Sequence, residues 1–220
     1  QTDLKLLLMN DHINSSIIEG NGIDTSKFSY HERFIKNPNQ EIKFLFASKL
    51  QKEKGILEFI NASKVLKERY PYSSFYIAGE FDPTNTLSIE RSDFDAIKES
   101  NDLNYLGFIQ NNGMPALFKE YDVFILPSYR EGLPSVALEA AATGMPLIMS
   151  NVPGCKSIIE SNKNGYLIEP KSKSSIIKAV EKIINNKENL KYFSLRSRAI
   201  VEERFQIEKI FTQYLDLINS

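Results

Sequence analysis

Two carboxylates on either side of a proline carry the chemistry that can be read first. Glu131 stands in a polar, glycine-containing loop at 128–133, and Glu139 follows Pro134 on an alanine- and leucine-rich stretch at 136–143. Proline suits the first position of a helix, where a missing N–H costs nothing, so the helix is expected to open at Pro134. At ~1.5 Å per residue, Glu139 then lies roughly 7.5 Å along it, about a turn and a half from the start. A helix start offers unpaired N–H groups and the positive end of the macrodipole. That terminus is therefore a ready place for phosphate. Carboxylates accept hydrogen bonds from hydroxyls. A ligand with phosphates in its middle and hydroxyls at both ends matches this layout, as a nucleoside diphosphate sugar does.

The flanking residues say which elements must hold that site. Val123-Phe124-Ile125-Leu126 is an apolar run of the kind that forms a strand buried on both faces, and Pro127 stops it. Gly144 closes the helix, and Pro146 leads into a second buried strand, Leu147-Ile148-Met149. This β-loop-α-β unit is the building block of parallel sheets. The same alternation runs along the chain, with further strands expected at 41–47, 73–79, 103–108 and 165–170. Helices are expected from 56, from about 88 to 99, and at 114–120, 156–160, 172–184, 188–205 and 207–218. Residues 16–19 read as a short strand before an Asn21-Gly22 turn. The result is an α/β domain, a doubly wound, mostly parallel sheet with C-terminal helices, its ligand edge at the strand ends.

Bulk composition narrows the partners. The chain has 220 residues and 42% hydrophobic content, enough for one sizeable core or two small ones. Lys plus Arg (27) nearly balance Asp plus Glu (28), so no overall field draws it to nucleic acid. Cys155 is the single cysteine, which excludes an internal disulfide and a cysteine-based metal cluster. Neither histidine, His12 or His31, is near it in sequence to activate it, so it reads as a packed small residue rather than a nucleophile. No apolar run approaches the ~18 residues of a membrane-spanning helix. Tryptophan is absent, so any stacking on carbohydrate falls to Tyr or Phe.

The run Glu131-Gly132-Leu133-Pro134 with Glu139-Ala140, after an apolar strand and before Gly144-Met145-Pro146, resembles a known signature. It is similar to the Glu-x7-Glu motif of retaining glycosyltransferases with the GT-B fold, the group 1 transferases of family 4, which include bacterial polysaccharide and sucrose-type enzymes. The resemblance covers roughly residue 13 to the C-terminus, with the glutamate pair as its specific part. It implies that Glu131 lies by the donor hexose together with the amides of the Gly132 to Ser135 segment, and that Glu139 accepts from the ribose hydroxyls. The family's Gly-Arg-Leu and Lys-Gly would fall on Ser48-Lys49-Leu50 and Lys54-Gly55, placing Lys49 and Lys54 on the donor diphosphate. Taken alone, these lysines read as solvated loop charges. Lysine at position 49 keeps the charge of the family's arginine and loses its bidentate fork. The loop of Gly107, Phe108 and Ile109 would meet the nucleobase, largely through backbone. Asn21-Gly22-Ile23-Asp24 suits the family's entry into its C-terminal domain and equally reads as a plain turn. Pro153-Gly154-Cys155 with Ser128-Tyr129-Arg130 resembles a subgroup that extends lipid-linked or surface polysaccharides.

The resemblance thus implies half of a GT-B enzyme. Residues 1–24 would connect from a preceding domain, 25–205 would bind the nucleotide sugar, and 206–220 would cross back as a helix onto an N-terminal acceptor domain outside this chain. With that domain missing, Phe211, Tyr214 and Leu215 either expose an apolar stripe or pack on their own domain. The implied reaction transfers a hexose or N-acetylhexosamine from a nucleotide sugar, with UDP the commonest nucleotide in the family, to a glycan or lipid-linked acceptor. It needs no metal and no cofactor beyond the donor. The implied setting is bacterial and cytoplasmic, with the inner membrane face open to the full-length protein, and the isolated domain would transfer little. Two other readings stay open: a GT-B epimerase or phosphorylase, and a non-catalytic nucleotide-binding module.

Overall fold

A computed structural model describes residues 18, 20, 22–35, 37 and 39–219. The expected strand at 16–19 falls almost wholly outside them. Six strands, β1 (Ile42–Ala47), β2 (Ser73–Ala78), β3 (Leu103–Gly107), β4 (Val123–Leu126), β5 (Leu147–Ser150) and β6 (Gly165–Ile168), form one sheet in the order β3-β2-β1-β4-β5-β6. All five pairings are parallel. Each of the expected central strands exists, and β1, β4 and β5 are almost entirely buried, as apolar runs covered by helices on both faces must be.

Eight α-helices complete the described chain: α1 (Ile56–Arg69), α2 (Arg91–Lys98), α3 (Met114–Lys119), α4 (Ser135–Ala142), α5 (Pro153–Lys156), α6 (Lys173–Asn185), α7 (Asn189–Arg204) and α8 (Ile207–Ile218). The core is aromatic beneath α1. Phe44 and Phe75 stack at 5.2 Å on neighbouring strands, and Phe59 of α1 meets Phe75 edge-on at 6.1 Å.

Three helix starts differ from the sequence reading. Pro134 caps α4 with extended backbone (ψ 105) instead of forming its first turn. The second helix begins at Arg91 because Asp82 and Asn85 fold the preceding segment into side-chain-capped turns, Asp82 Oδ1 accepting from the Thr84 amide at 2.9 Å. The helix expected at 156–160 lies earlier, at Pro153–Lys156, since Pro153 supplies its first residue after the extended Val152.

A buried arginine and a half-buried one fasten the entry segment to the C-terminal end of α4. Arg33, 2% exposed, donates to the carbonyls of His31, Thr143 and Phe118. Arg198 of α7 donates to the carbonyls of Phe28 and Ala142, both at 2.8 Å. Ile23 closes the other end through its amide on Phe205 O at 2.7 Å. Beyond it α8 buries Ile210 and leaves Phe211 (61%), Tyr214 (47%) and Leu215 (42%) exposed, so the apolar stripe lies open.

Candidate functional site

The strand order reverses between β1 and β4, and the loops that follow these two strands face each other across the carboxyl edge of the sheet. Gly55 lets them meet. Its φ is +71°, and a Cβ there would stand 2.1 Å from Pro127 O, so only glycine can both turn and approach so closely. Four contacts then join the loops. The Tyr129 amide donates to Glu53 O at 2.8 Å, and Lys54 Nζ donates to Glu131 Oε1 at 2.9 Å. The Tyr129 hydroxyl donates to Glu58 Oε1 at 2.7 Å, and Arg130 pairs with Glu53 at 3.4 Å on the outside. Lys54 and Glu131 are 22% and 10% exposed at their side chains, a cation and a carboxylate held together and largely shielded.

The start of α4 opens onto this pair. Pro134 is buried and provides no side-chain cap, while Ser135 is exposed, so the first amides of the helix keep their donors free for a ligand. Gly132 is exposed, with open space where a side chain would stand. Glu139 lies half-buried on α4. Burial raises its carboxyl above the ordinary range, and Lys27 partly opposes that rise. Beneath the loop, α5 presses in so tightly that a Cβ on Gly154 would lie 1.8 Å from Gly132 O. Cys155 beside it is fully buried, and burial, reinforced by Glu131, pushes its thiol up to about 12. It stays a neutral thiol, consistent with packing and not with nucleophilic work.

A cleft of about 220 Å³ lies on the β2–β3 side of the sheet edge and reaches the start of α4 at Val136. Phe108, Ile109, Met114 and Val136 give it apolar walls, and Lys49 and Glu80 stand at its polar side. Lys49 is exposed and forms no ion pair among the described residues, so Lys54 and Glu131 come together without it. Gly107 does not line the cleft. With φ +77° it turns the chain after β3, and its carbonyl accepts from the Gly79 amide at 2.9 Å. Glu80, the Tyr129–Glu58 bond and the steric role of Gly154 were missed in the sequence; only Gly154 left a trace, in its Pro-Gly-Cys setting. Asp93 and Asp95 lie on α2, and among the described residues no group of three or more His, Cys, Asp or Glu is gathered to hold a metal. No helix among them is long and apolar enough to cross a membrane.

Comparison with known proteins places this geometry in context. The family model described as Glycosyl transferases group 1 matches residues 29–199. A UDP-Gal:alpha-D-GlcNAc-diphosphoundecaprenol alpha-1,3-galactosyltransferase of Escherichia coli is 31% identical over 212 residues, covering 90% of this chain and 53% of the relative. The chain spans about half the length of the curated relatives it matches first. Among solved structures, a sucrose-phosphate synthase from Thermosynechococcus elongatus superposes with a TM-score of 0.80 at 21% identity, over 99% of this chain and 55% of that one. The C-terminal domain of a glycosyl transferase group 1 family protein (LpcC) from Francisella tularensis gives 0.70 at 25% identity, over 84% of this chain and 100% of that one.

Proposed function

The chain belongs to the glycosyl transferases group 1 family, with the sheet of a GT-B half, and from that premise we propose that it is the donor-binding domain of a retaining glycosyltransferase using a UDP-sugar. The observation that carries this reading is the Lys54–Glu131 pair, 2.9 Å apart at the uncapped start of α4, in the crevice where the strand order reverses. A sugar diphosphate needs cations and amides at its phosphates and a hydroxyl acceptor at its hexose. Lys54, the backbone of Gly132 to Ser135 and Glu131 supply them at adjoining positions.

In this reading the base occupies the cleft of Phe108, Ile109 and Val136, and the ribose hydroxyls donate to Glu139. An acceptor hydroxyl attacks the anomeric carbon as the bond to the phosphate oxygen breaks, and its proton passes to the departing phosphate. Negative charge then grows on the leaving diphosphate, where Lys49, Lys54 and the α4 amides stabilise it. Retention of configuration rests on the Glu-x7-Glu spacing. The transfer to a glycan or lipid-linked acceptor, with a preceding domain completing the site, is supported by the diphosphoundecaprenol-linked acceptor of the E. coli relative and by the exposed stripe on α8.

Thermal-shift and calorimetric titrations with UDP, GDP and ADP test the reading. A ligand at 100 times its dissociation constant stabilises by about 2.7 kcal/mol, well within such assays. Selective stabilisation by UDP that is lost in Glu139→Gln supports it. Equal, weak responses to all three nucleotides in both proteins refute it.

A further inference from the structure

The Tyr129 hydroxyl and Glu58 have no place in the chemistry above, yet they are built at a cost. Glu58 Oε1 accepts from Tyr129 at 2.7 Å, while its Oε2 is buried without a partner. A buried carboxylate oxygen left unpaired destabilises a fold, so packing alone does not account for the pair. Burial, and then Glu58, push the Tyr129 phenol up to about 12, which keeps the donor proton on it. The ring is held from a third side, with Lys171 of the loop after β6 over its face at 5.0 Å. Tyr129 thereby ties α1, the loop before α4 and the loop after β6 to one another.

Resting on the reading of the site as a donor pocket, we infer that Tyr129 and Glu58 are positioning residues that hold the Glu131 loop in register when Lys54 leaves Glu131 for the incoming diphosphate. Of the four contacts between the two loops, the Lys54–Glu131 bond is made by the ligand-facing groups themselves and is exchanged on binding. The Arg130–Glu53 pair is 3.4 Å long with Arg130 87% exposed, too weak to take over. With α5 packed behind the loop, that leaves one backbone bond and the Tyr129–Glu58 bond to hold it to the β1 side.

The test separates the two ends of the donor. Tyr129→Phe keeps the ring under Lys171 and removes the hydroxyl alone. Bound to the 220-residue protein, UDP and UDP-sugar are expected to lose about tenfold in affinity, which is about 1.4 kcal/mol. Uridine, which touches only the base cleft and Glu139, is expected to change less than twofold. Glu58→Ala reproduces the loss, Glu58→Gln restores most of it because its amide oxygen still accepts from the hydroxyl, and the Tyr129→Phe/Glu58→Ala pair is no worse than either single change. Uridine and UDP falling by the same factor, or UDP unchanged, overturns the inference. Hydrogen exchange decides it even without a ligand: the amides of residue 129 and Ala137, bonded to Glu53 O and Pro134 O, should exchange faster in Tyr129→Phe than in wild type, and equal rates overturn it. A wild-type protein that binds no nucleotide, with faster exchange in the variant, refutes the donor-pocket reading and keeps the loop-holding role.

Discussion

Replacing Gly154 by alanine should disable the donor site from behind. Gly154 lies in α5, and the missing side chain is filled by backbone of the loop opposite: a Cβ would stand 1.8 Å from Gly132 O, 2.4 Å from Gly132 C and 2.6 Å from Glu131 O. None of these is the end of a flexible side chain, so the loop itself has to move. Carbon and oxygen normally approach to ~3.3 Å, so the loop must retreat by about 1.5 Å. A misplacement of ~1 Å at a reacting group costs about 10²-fold. The expected result is a loss of at least about a hundredfold in UDP-sugar affinity or turnover. Overpacking should cost about 1–3 kcal/mol in stability, a few degrees in Tm, leaving a folded protein. Calorimetric titration and a melting curve on the same sample read both. Gly132→Ala is the control: a Cβ there meets nothing within 4 Å, so its Tm should match wild type. A Gly154→Ala protein with wild-type Tm and wild-type donor affinity refutes the reasoning, because it would mean that the loop yields freely and its position does not matter.

Three further outcomes follow from the site and its support. Glu139→Ala should weaken nucleotide binding far more than Glu131→Ala, since the first is assigned to the ribose and the second to the hexose; calorimetry showing equal losses for UDP contradicts that assignment. The same glutamate predicts a pH dependence. Its folded pKa lies above the ordinary carboxylate value, so ionised Glu139 costs stability once pH passes that value, and acidification through the window between the unfolded and folded pKa relieves the cost. Ribose hydroxyls donate more strongly to the ionised carboxylate than to its protonated form, so UDP affinity should fall as pH drops through the raised pKa, and Glu139→Gln should flatten the profile; an unchanged slope in the variant would sink the idea. Arg33→Met should destabilise by about 1–3 kcal/mol, because the buried Phe118 carbonyl loses its donor and the Thr143 carbonyl keeps only the His31 amide. Urea unfolding should show it as a lower midpoint at unchanged m.

The parts of the site that lie close in sequence were legible, and the parts assembled by the sheet were not. Val123 to Leu126 announced a strand because nothing polar interrupts it, and all four residues are buried. Glu131, Pro134 and Glu139 stand in one loop and one helix, so local rules placed them near an amide-rich helix start, missing only that Pro134 caps that helix instead of entering it. The apolar stripe of α8 was readable from spacing, as Phe211, Tyr214 and Leu215 recur at helical intervals, but its exposure was not. Lys54 and Glu58 are different: local rules single out neither, and Lys54 is reached only through the family's Lys-Gly pattern. Each is a charged residue near a helix start, indistinguishable by type from the solvated Lys52 and Glu53 around it. What selects them is the parallel register of Phe44 on Val123 and Leu45 on Phe124, which sets the ends of β1 and β4 side by side and points the two loops at each other. A slip of one residue would exchange the faces of a strand and part Lys54 from Glu131, although no residue in either loop had changed. Arg33 was hidden for a related reason: arginine is almost never fully buried unless its donors are met, and the carbonyls that meet them belong to residues up to 110 positions away. The chemistry of this site therefore depends on strand pairing as much as on its motif, and substitutions in the β1–β4 seam should impair donor binding while leaving every motif residue in place.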